Sequence, residues 1–247
     1  MKKLLGLAAL AGAAAISVGT ASTASAEATF SGNVALTSDY VFRGISQSDS
    51  DIAIQGGFDY GNDIGGLPVY AGVWASNIDF GLDGTVEVDL YGGVKPQLGP
   101  ITLDAGFVYY VYPGIDDSFN ADYLEFKLGG SVSPAEGLTI GAVAYYAPEF
   151  TFTDDDSGLY VEANAAYTIN DLFAVSGAVG NQSVDVDNYY FAAGDNYTTF
   201  NVGGTLSAYG FGIDLRYYDT DLDPELVGPS GDEISDGRVV LTFKRAL

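Results

Sequence analysis

The run Thr29-Phe-Ser-Gly-Asn-Val-Ala-Leu-Thr-Ser-Asp-Tyr-Val-Phe-Arg43 decides the fold. Its even positions carry Phe30, Val34, Leu36, Tyr40 and Phe42, while its odd positions carry Ser31, Asn33, Thr37, Asp39 and Arg43. A period of two is the signature of a strand with one apolar and one polar face. The same alternation recurs along the chain. Ile52, Ile54, Phe58 and Tyr60 oppose Asp51, Gln55 and Asp59, and Val86, Val88, Leu90 and Val94 oppose Glu87, Asp89 and Lys95. Ile101, Leu103, Phe107 and Tyr109 oppose Thr102 and Asp104, and Leu124, Phe126 and Leu128 oppose Glu125 and Lys127. Leu159, Val161 and Tyr167 oppose Tyr160, Glu162 and Asn164; Phe200 and Val202 oppose Thr199 and Asn201. Phe211, Ile213, Leu215 and Tyr217 oppose Asp214 and Arg216, and Val239, Leu241 and Phe243 oppose Arg238, Thr242 and Lys244. Residues 68–76, 138–147 and 172–181 are apolar on both faces, which leaves the direction of Trp74 open.

These segments make about twelve strands. An even number of antiparallel strands brings both ends of a closed barrel to the same side. A soluble β-sandwich also alternates, and loop asymmetry separates the two. Connections 44–50, 77–84, 112–121, 147–157, 183–196 and 219–236 are long; 61–66, 95–100, 133–137, 170–171 and 207–210 are short. The long set holds nineteen acidic residues and no Lys or Arg. Short turns on the periplasmic side and long loops outside are the asymmetry of outer-membrane barrels. The expected fold is therefore an all-β, antiparallel transmembrane barrel, with long loops outward. Aromatic residues on the apolar faces fall into two bands suited to the membrane interfaces. Tyr40, Phe42, Tyr109, Tyr146 and Tyr217 lie at the long-loop end, and Phe30, Phe58, Tyr60, Tyr167, Phe173, Phe211 and Phe243 at the short-turn end.

The start of the chain reads as a secretory signal. Lys2 and Lys3 precede the apolar run from Leu4 to Val18, and Ala24-Ser25-Ala26 offers small residues for cleavage. Residues 1–26 are thus expected to be a signal peptide and 27–247 the barrel, placed in the bacterial outer membrane. Without Lys2 and Lys3, seven basic residues stand against 33 acidic ones. That balance argues against nucleic acid and a polybasic membrane helix. With no Cys there is no disulfide framework. With no His, His-based nucleophile pairs and zinc sites are excluded. A paired-carboxylate glycosidase survives that test, but with 33 acids some pair is always at hand. No enzyme activity and no cofactor are expected.

The run Asn33-Val-Ala-Leu-Thr-Ser-Asp-Tyr-Val-Phe-Arg-Gly-Ile-Ser-Gln-Ser48 resembles the opening signature of the TorF-like porins, a bacterial family also called Gcw_chp. Further similar segments are Gln55–Tyr60, Tyr70–Asn77, Glu87–Gly92 and Tyr109–Gly114. The resemblance is specific over residues 30–115. It implies an outer-membrane barrel with a channel role and supplies no agreed substrate. The chain departs from many outer-membrane proteins by ending Phe243-Lys-Arg-Ala-Leu247 in place of a terminal aromatic.

The polar faces give the candidate pore-lining residues: Asp39, Arg43, Asp59, Glu87, Asp89, Asp104, Glu125, Lys127, Glu162, Asp214, Arg216 and Arg238, with Asp51 and Lys244 beside them. Pore charges can set selectivity, or salt bridges can plug a narrow barrel. Twelve strands fall between filled eight-strand barrels and open sixteen-strand channels. A hydrated lumen is favoured because so many charges in a dry core would be costly. Asp39 and Arg43 are ~13 Å apart along one strand and cannot pair, so their partners are expected on neighbouring strands. Asp219-Thr-Asp221-Leu-Asp223 starts like a calcium loop, but Pro224 and Ser230 stand where an EF-hand needs Gly and Glu. The acidic loops could hold divalent cations only loosely. The expected surroundings are outer-membrane lipid and lipopolysaccharide. The expected role is a passive, cation-preferring channel for small solutes; the alternative is a non-conducting structural or surface-interaction barrel.

Overall fold

The computed structural model describes residues 28–190 and 193–247; the predicted signal peptide lies outside them. Twelve long strands follow one another: β1 Thr29–Thr37, β2 Ala53–Ile64, β3 Leu67–Asn77, β4 Val86–Val94, β5 Ile101–Val111, β6 Tyr123–Ala135, β7 Leu138–Ala147, β8 Gly158–Thr168, β9 Phe173–Val184, β10 Asn196–Ala208, β11 Phe211–Thr220 and β12 Arg238–Ala246. Each pairs antiparallel with its neighbours in sequence. β1 closes the ring on β12, with Asn33 opposite Ala246 and Thr37 opposite Thr242. Closure leaves no unpaired edge, which a backbone in hydrocarbon requires. Strands of nine to thirteen residues match the length needed to cross a bilayer at a tilt.

The outer surface is apolar where the alternation places it. Ile54 is 66% exposed, Phe58 68% and Leu128 64%. A soluble protein rarely leaves so much contiguous apolar surface uncovered; on a barrel it meets lipid. Tyr109, Tyr146 and Tyr217 lie on this surface at the long-loop end, and Phe30, Phe58, Tyr167, Phe173, Phe211 and Phe243 at the other. Trp74 points inward, edge-on to Tyr40 at 5.4 Å.

The first segment departs from its expected course. β1 ends at Thr37, not near Arg43, and Tyr40 and Phe42 are not on the lipid face. Tyr40 is 4% exposed within the main apolar cluster, and Phe42 packs against that cluster. The chain turns at Asp39, whose carboxylate accepts the hydroxyls of Ser46 (2.6 Å) and Ser48 (3.1 Å). It then forms a short hairpin, Val41–Phe42 against Ile45–Ser46. Arg43 and Gly44 form its tip at positive φ, 49° and 87°. Glycine is needed at 44 for a second reason. A Cβ there would lie 2.4 Å from Thr199 Oγ1 and 2.5 Å from Thr220 Cγ2, on the walls of β10 and β11. Residues 40–48 thus fold into the barrel instead of extending its wall, while Ser50, Asp51 and Ile52 stay exposed. The alternation persists through Phe42, so periodicity alone cannot reveal the turn. Asp51 falls in the same connection and is exposed outside the strands, which corrects its expected place inside the barrel.

Candidate functional site

The interior has two unlike halves. Near the short turns it is polar and partly open. On one wall, Asp104 of β5 accepts the Tyr70 hydroxyl at 2.7 Å and Lys127 Nζ at 2.7 Å, with Lys95 Nζ 3.8 Å away. Asp59 accepts the hydroxyl of Tyr91. On the other wall, Arg216 reaches Asp214 (3.1 Å), Asn201 (2.7 Å) and Ser176 (2.8 Å), and Thr205 donates to Asp214 at 2.6 Å. The ion-paired side chains here keep between 12% and 32% of their surface accessible.

Near the long loops the interior is dry. Inward residues from many strands are almost fully buried: Glu87 on β4, Tyr110 on β5, Glu125 on β6, Tyr160 on β8, Gln182 on β9 and Tyr197 on β10 are each between 1% and 5% exposed. A stack of aromatic rings fills the space. Tyr110 lies on Tyr123 at 4.4 Å and 9°, and Tyr123, Phe150, Tyr189, Tyr190 and Tyr197 continue the contacts edge-on. Glu162 is 6% exposed and accepts Tyr160 Oη at 2.8 Å and Asn164 Nδ2 at 2.9 Å. Gly180 permits this: a Cβ on it would lie 2.3 Å from the Tyr160 hydroxyl.

The hairpin completes the closure. Its base is fixed beside β1, where Arg238 of the neighbouring β12 donates to Asp39 at 2.8 Å and Tyr40 donates to Glu87 at 2.6 Å. Arg238 also binds Asp236 and the Glu233 carbonyl. Its tip crosses the lumen. Arg43 donates to both carboxylate oxygens of Glu125, at 2.8 and 2.7 Å, and to Gln182 Oε1 at 2.7 Å. Its guanidinium lies over the rings of Phe42, Tyr145 and Tyr160, at 4.6, 5.2 and 4.3 Å from their centroids. Tyr197 donates to its carbonyl at 2.9 Å. In a ring of twelve strands these contacts on β6 to β10 lie across the barrel from β1.

The expectation that Asp39 finds its partner on a neighbouring strand therefore holds, whereas Arg43 pairs on the far wall. Inward charged side chains that keep some accessible surface lie in the short-turn half, whereas those near the long loops are almost fully buried. Asp59, Glu87, Asp89, Asp104, Glu125, Lys127, Glu162, Asp214 and Arg216 all occupy inward strand positions, as does Arg238 at the start of β12. Asp89 Oδ1 is shielded and receives no hydrogen bond among the described residues. Of the residues that hold the guanidinium, Tyr160 falls on the polar face that the alternation marks, whereas Tyr145 lies in a segment apolar on both faces and Gln182 directly follows another. The signal available was that Gln182 shares the even register of β9 with Ser176, continuing a polar face past an apolar stretch. Among the described residues no group of three or more His, Cys, Asp or Glu is placed to hold a metal ion.

Solved structures with the same fold are outer-membrane channels. The chain superposes on the NanC porin with a TM-score of 0.58 at 12% identity, covering 88% of this chain and 98% of that one. An outer-membrane channel from Pseudomonas putida F1 gives 0.57 at 11% identity, with 88% and 95% covered. The KdgM porin gives 0.50 at 7%, with 88% and 98% covered. At these identities the likeness is one of fold. No curated protein matches the chain by sequence. The model of a family described as a bacterial protein of unknown function (Gcw_chp) matches residues 21–247, most of the chain. The chain, a closed twelve-strand barrel of the outer-membrane type, belongs to that family.

Proposed function

We propose that this barrel is a narrow outer-membrane channel for small solutes and that it prefers cations. The observation that carries the reading is the charge kept inside. A barrel serving only as a wall would be cheaper to fill with apolar side chains, because buried ion pairs often stabilise no more than hydrophobic replacements. Here eight carboxylates face inward or fold inward (Asp39, Asp59, Glu87, Asp89, Asp104, Glu125, Glu162, Asp214). Asp39, Asp104, Glu125 and Asp214 are in ion pairs with Arg or Lys. Asp59, Glu87, Asp89 and Glu162 are not, among the described residues. Tyrosine hydroxyls serve three of these four. Against these eight stand six inward basic residues, Arg43, Lys95, Lys127, Arg216, Arg238 and Lys244, so the margin inside is small and the acidic long loops supply most of the negative charge, at the outer mouth.

Charge of one sign at a mouth concentrates counter-ions, and low-dielectric walls focus the field. In a planar bilayer under a KCl gradient, the reversal potential should carry the sign of potassium selectivity. The preference should fade as the screening length falls from ~8 Å near 0.15 M to ~3 Å at 1 M salt. Anion selectivity at low salt would transfer control to Arg43 and Arg216 and overturn the cation preference.

The dry outer half favours a second reading: a non-conducting barrel embedded in lipid and lipopolysaccharide, whose acidic loops are its working surface. Single-channel recording separates the two, since this reading allows no current. Both readings place the long loops outside the cell. A protease added to intact cells should therefore cut within 147–157, 183–196 or 219–236. Cutting confined to 61–66 or 95–100 would invert the topology.

A further inference from the structure

The hairpin occupies the outer half of the lumen and is tied to the wall by non-covalent contacts alone. No covalent cross-link is available, because the chain has no Cys. Its tip is held by non-covalent contacts: Arg43 on Glu125 and Gln182 and over the rings of Tyr145 and Tyr160, Tyr197 on the Arg43 carbonyl, and Phe42 edge-on to Tyr110. The wall beneath carries polar groups among its aromatic rings. Thr199 (4% exposed), Glu125 (1%) and Gln182 (1%) are groups that water can solvate once uncovered. A wall built only to be packed against would be apolar, since uncovering apolar surface is penalised by the hydrophobic effect. The connection of residues 38–52 is also long beside the short turns at the other end of the barrel, which gives it reach.

We propose that the hairpin is a releasable plug, latched by Arg43 to Glu125 and Gln182, and that its withdrawal opens the outer half of the lumen. This rests on the channel reading and adds which segment must move and which contact holds it. Conduction requires a continuous hydrated path, and the latched hairpin occupies the section where inward residues from β4 to β10 are buried.

The test has two arms, on full-length protein folded in bilayers. In the first, a single cysteine replaces Thr199, under the hairpin tip, and its reaction rate with a small water-soluble thiol reagent is measured. The latched hairpin should keep the reaction slow. Arg43→Ala or Glu125→Gln should speed it about tenfold or more, because local opening then governs access. A cysteine replacing Val143, buried on β7, is the control and should keep its rate. Unchanged rates at position 199 in both backgrounds would overturn the latch; equal acceleration at 143 would too, because the whole barrel would then be loosening. In the second arm, single-channel current is recorded for the unsubstituted protein, Arg43→Ala and Glu125→Gln. Weakening the latch should raise the mean current in step with the labelling rate at 199. Accelerated labelling with a current no larger than that of the unsubstituted protein would overturn the plug and leave the channel reading standing. Accelerated labelling at 199 without current in any variant would overturn the channel reading and leave the latch standing.

Discussion

Replacing Arg43 by Met should destabilise the barrel with its hairpin seated by about 3–5 kcal/mol, the cost of stripping one partner from a buried ion pair; withdrawal of the hairpin, which hydrates Glu125, sets the upper limit of the loss. The reason lies with Glu125. Its side chain is 1% exposed, against 6% for Arg43, and both its oxygens accept from the guanidinium. Without Arg43 it retains, among the described residues, only the Tyr110 hydroxyl, at 3.1 Å. A lone carboxylate in that position has neither water nor counter-charge. Arg43→Met combined with Glu125→Gln should recover most of the loss, since both charges then leave together. Urea titration of the protein refolded in lipid measures each variant. A loss below about 1 kcal/mol for Arg43→Met would place the pair in the range of solvent-exposed bridges and would mean that water already reaches Glu125 when Arg43 is in place.

Leu90→Arg should cost roughly 2–4 kcal/mol, the penalty for a cationic side chain at the lipid face near mid-membrane. Leu90 sits at the centre of β4, 46% exposed, with Val73 and Tyr109 as its lateral neighbours. The informative contrast is an inward position in the partly open half. Thr102 faces inward beside the short turns and bonds Gln97 at 2.8 Å; Thr102→Arg should change stability by no more than about 0.5 kcal/mol. Glu87 looks equally tolerant from the sequence, as a lumen residue in water. It is 2% exposed and accepts the Tyr40 hydroxyl, so an Arg there would be cationic in a dry site. Comparing yields of folded protein for Leu90→Arg and Thr102→Arg checks the facing directly: if Thr102→Arg blocks assembly and Leu90→Arg does not, inside and outside are exchanged.

The sequence by itself determined the wall. Lipid outside and side-chain packing inside impose opposite polarity on successive residues, and a strand's period of two writes that difference into alternating letters. This is why the facing of Ile54, Leu90, Leu128 and Leu215 is legible, as is the even strand number and the alternation of long and short connections. Where both faces are apolar the code is silent, and Trp74 shows the consequence: only the register opposite Asp89 and the contact with Tyr40 turn it inward.

What fills the lumen was decided by tertiary structure. Tyr40 and Phe42 continue the alternation of β1, yet the chain leaves the wall because Asp39 finds Ser46, Ser48 and Arg238, and Gly44 accepts a backbone that most residues resist. Those partners lie up to 199 residues away in sequence. Arg43 likewise meets Glu125 and Gln182 at separations of 82 and 139 residues. A local pattern records which face a residue presents to its surroundings. It holds no record of which distant residue will meet it across a closed ring, because closure and the inward fold of one loop bring those residues together.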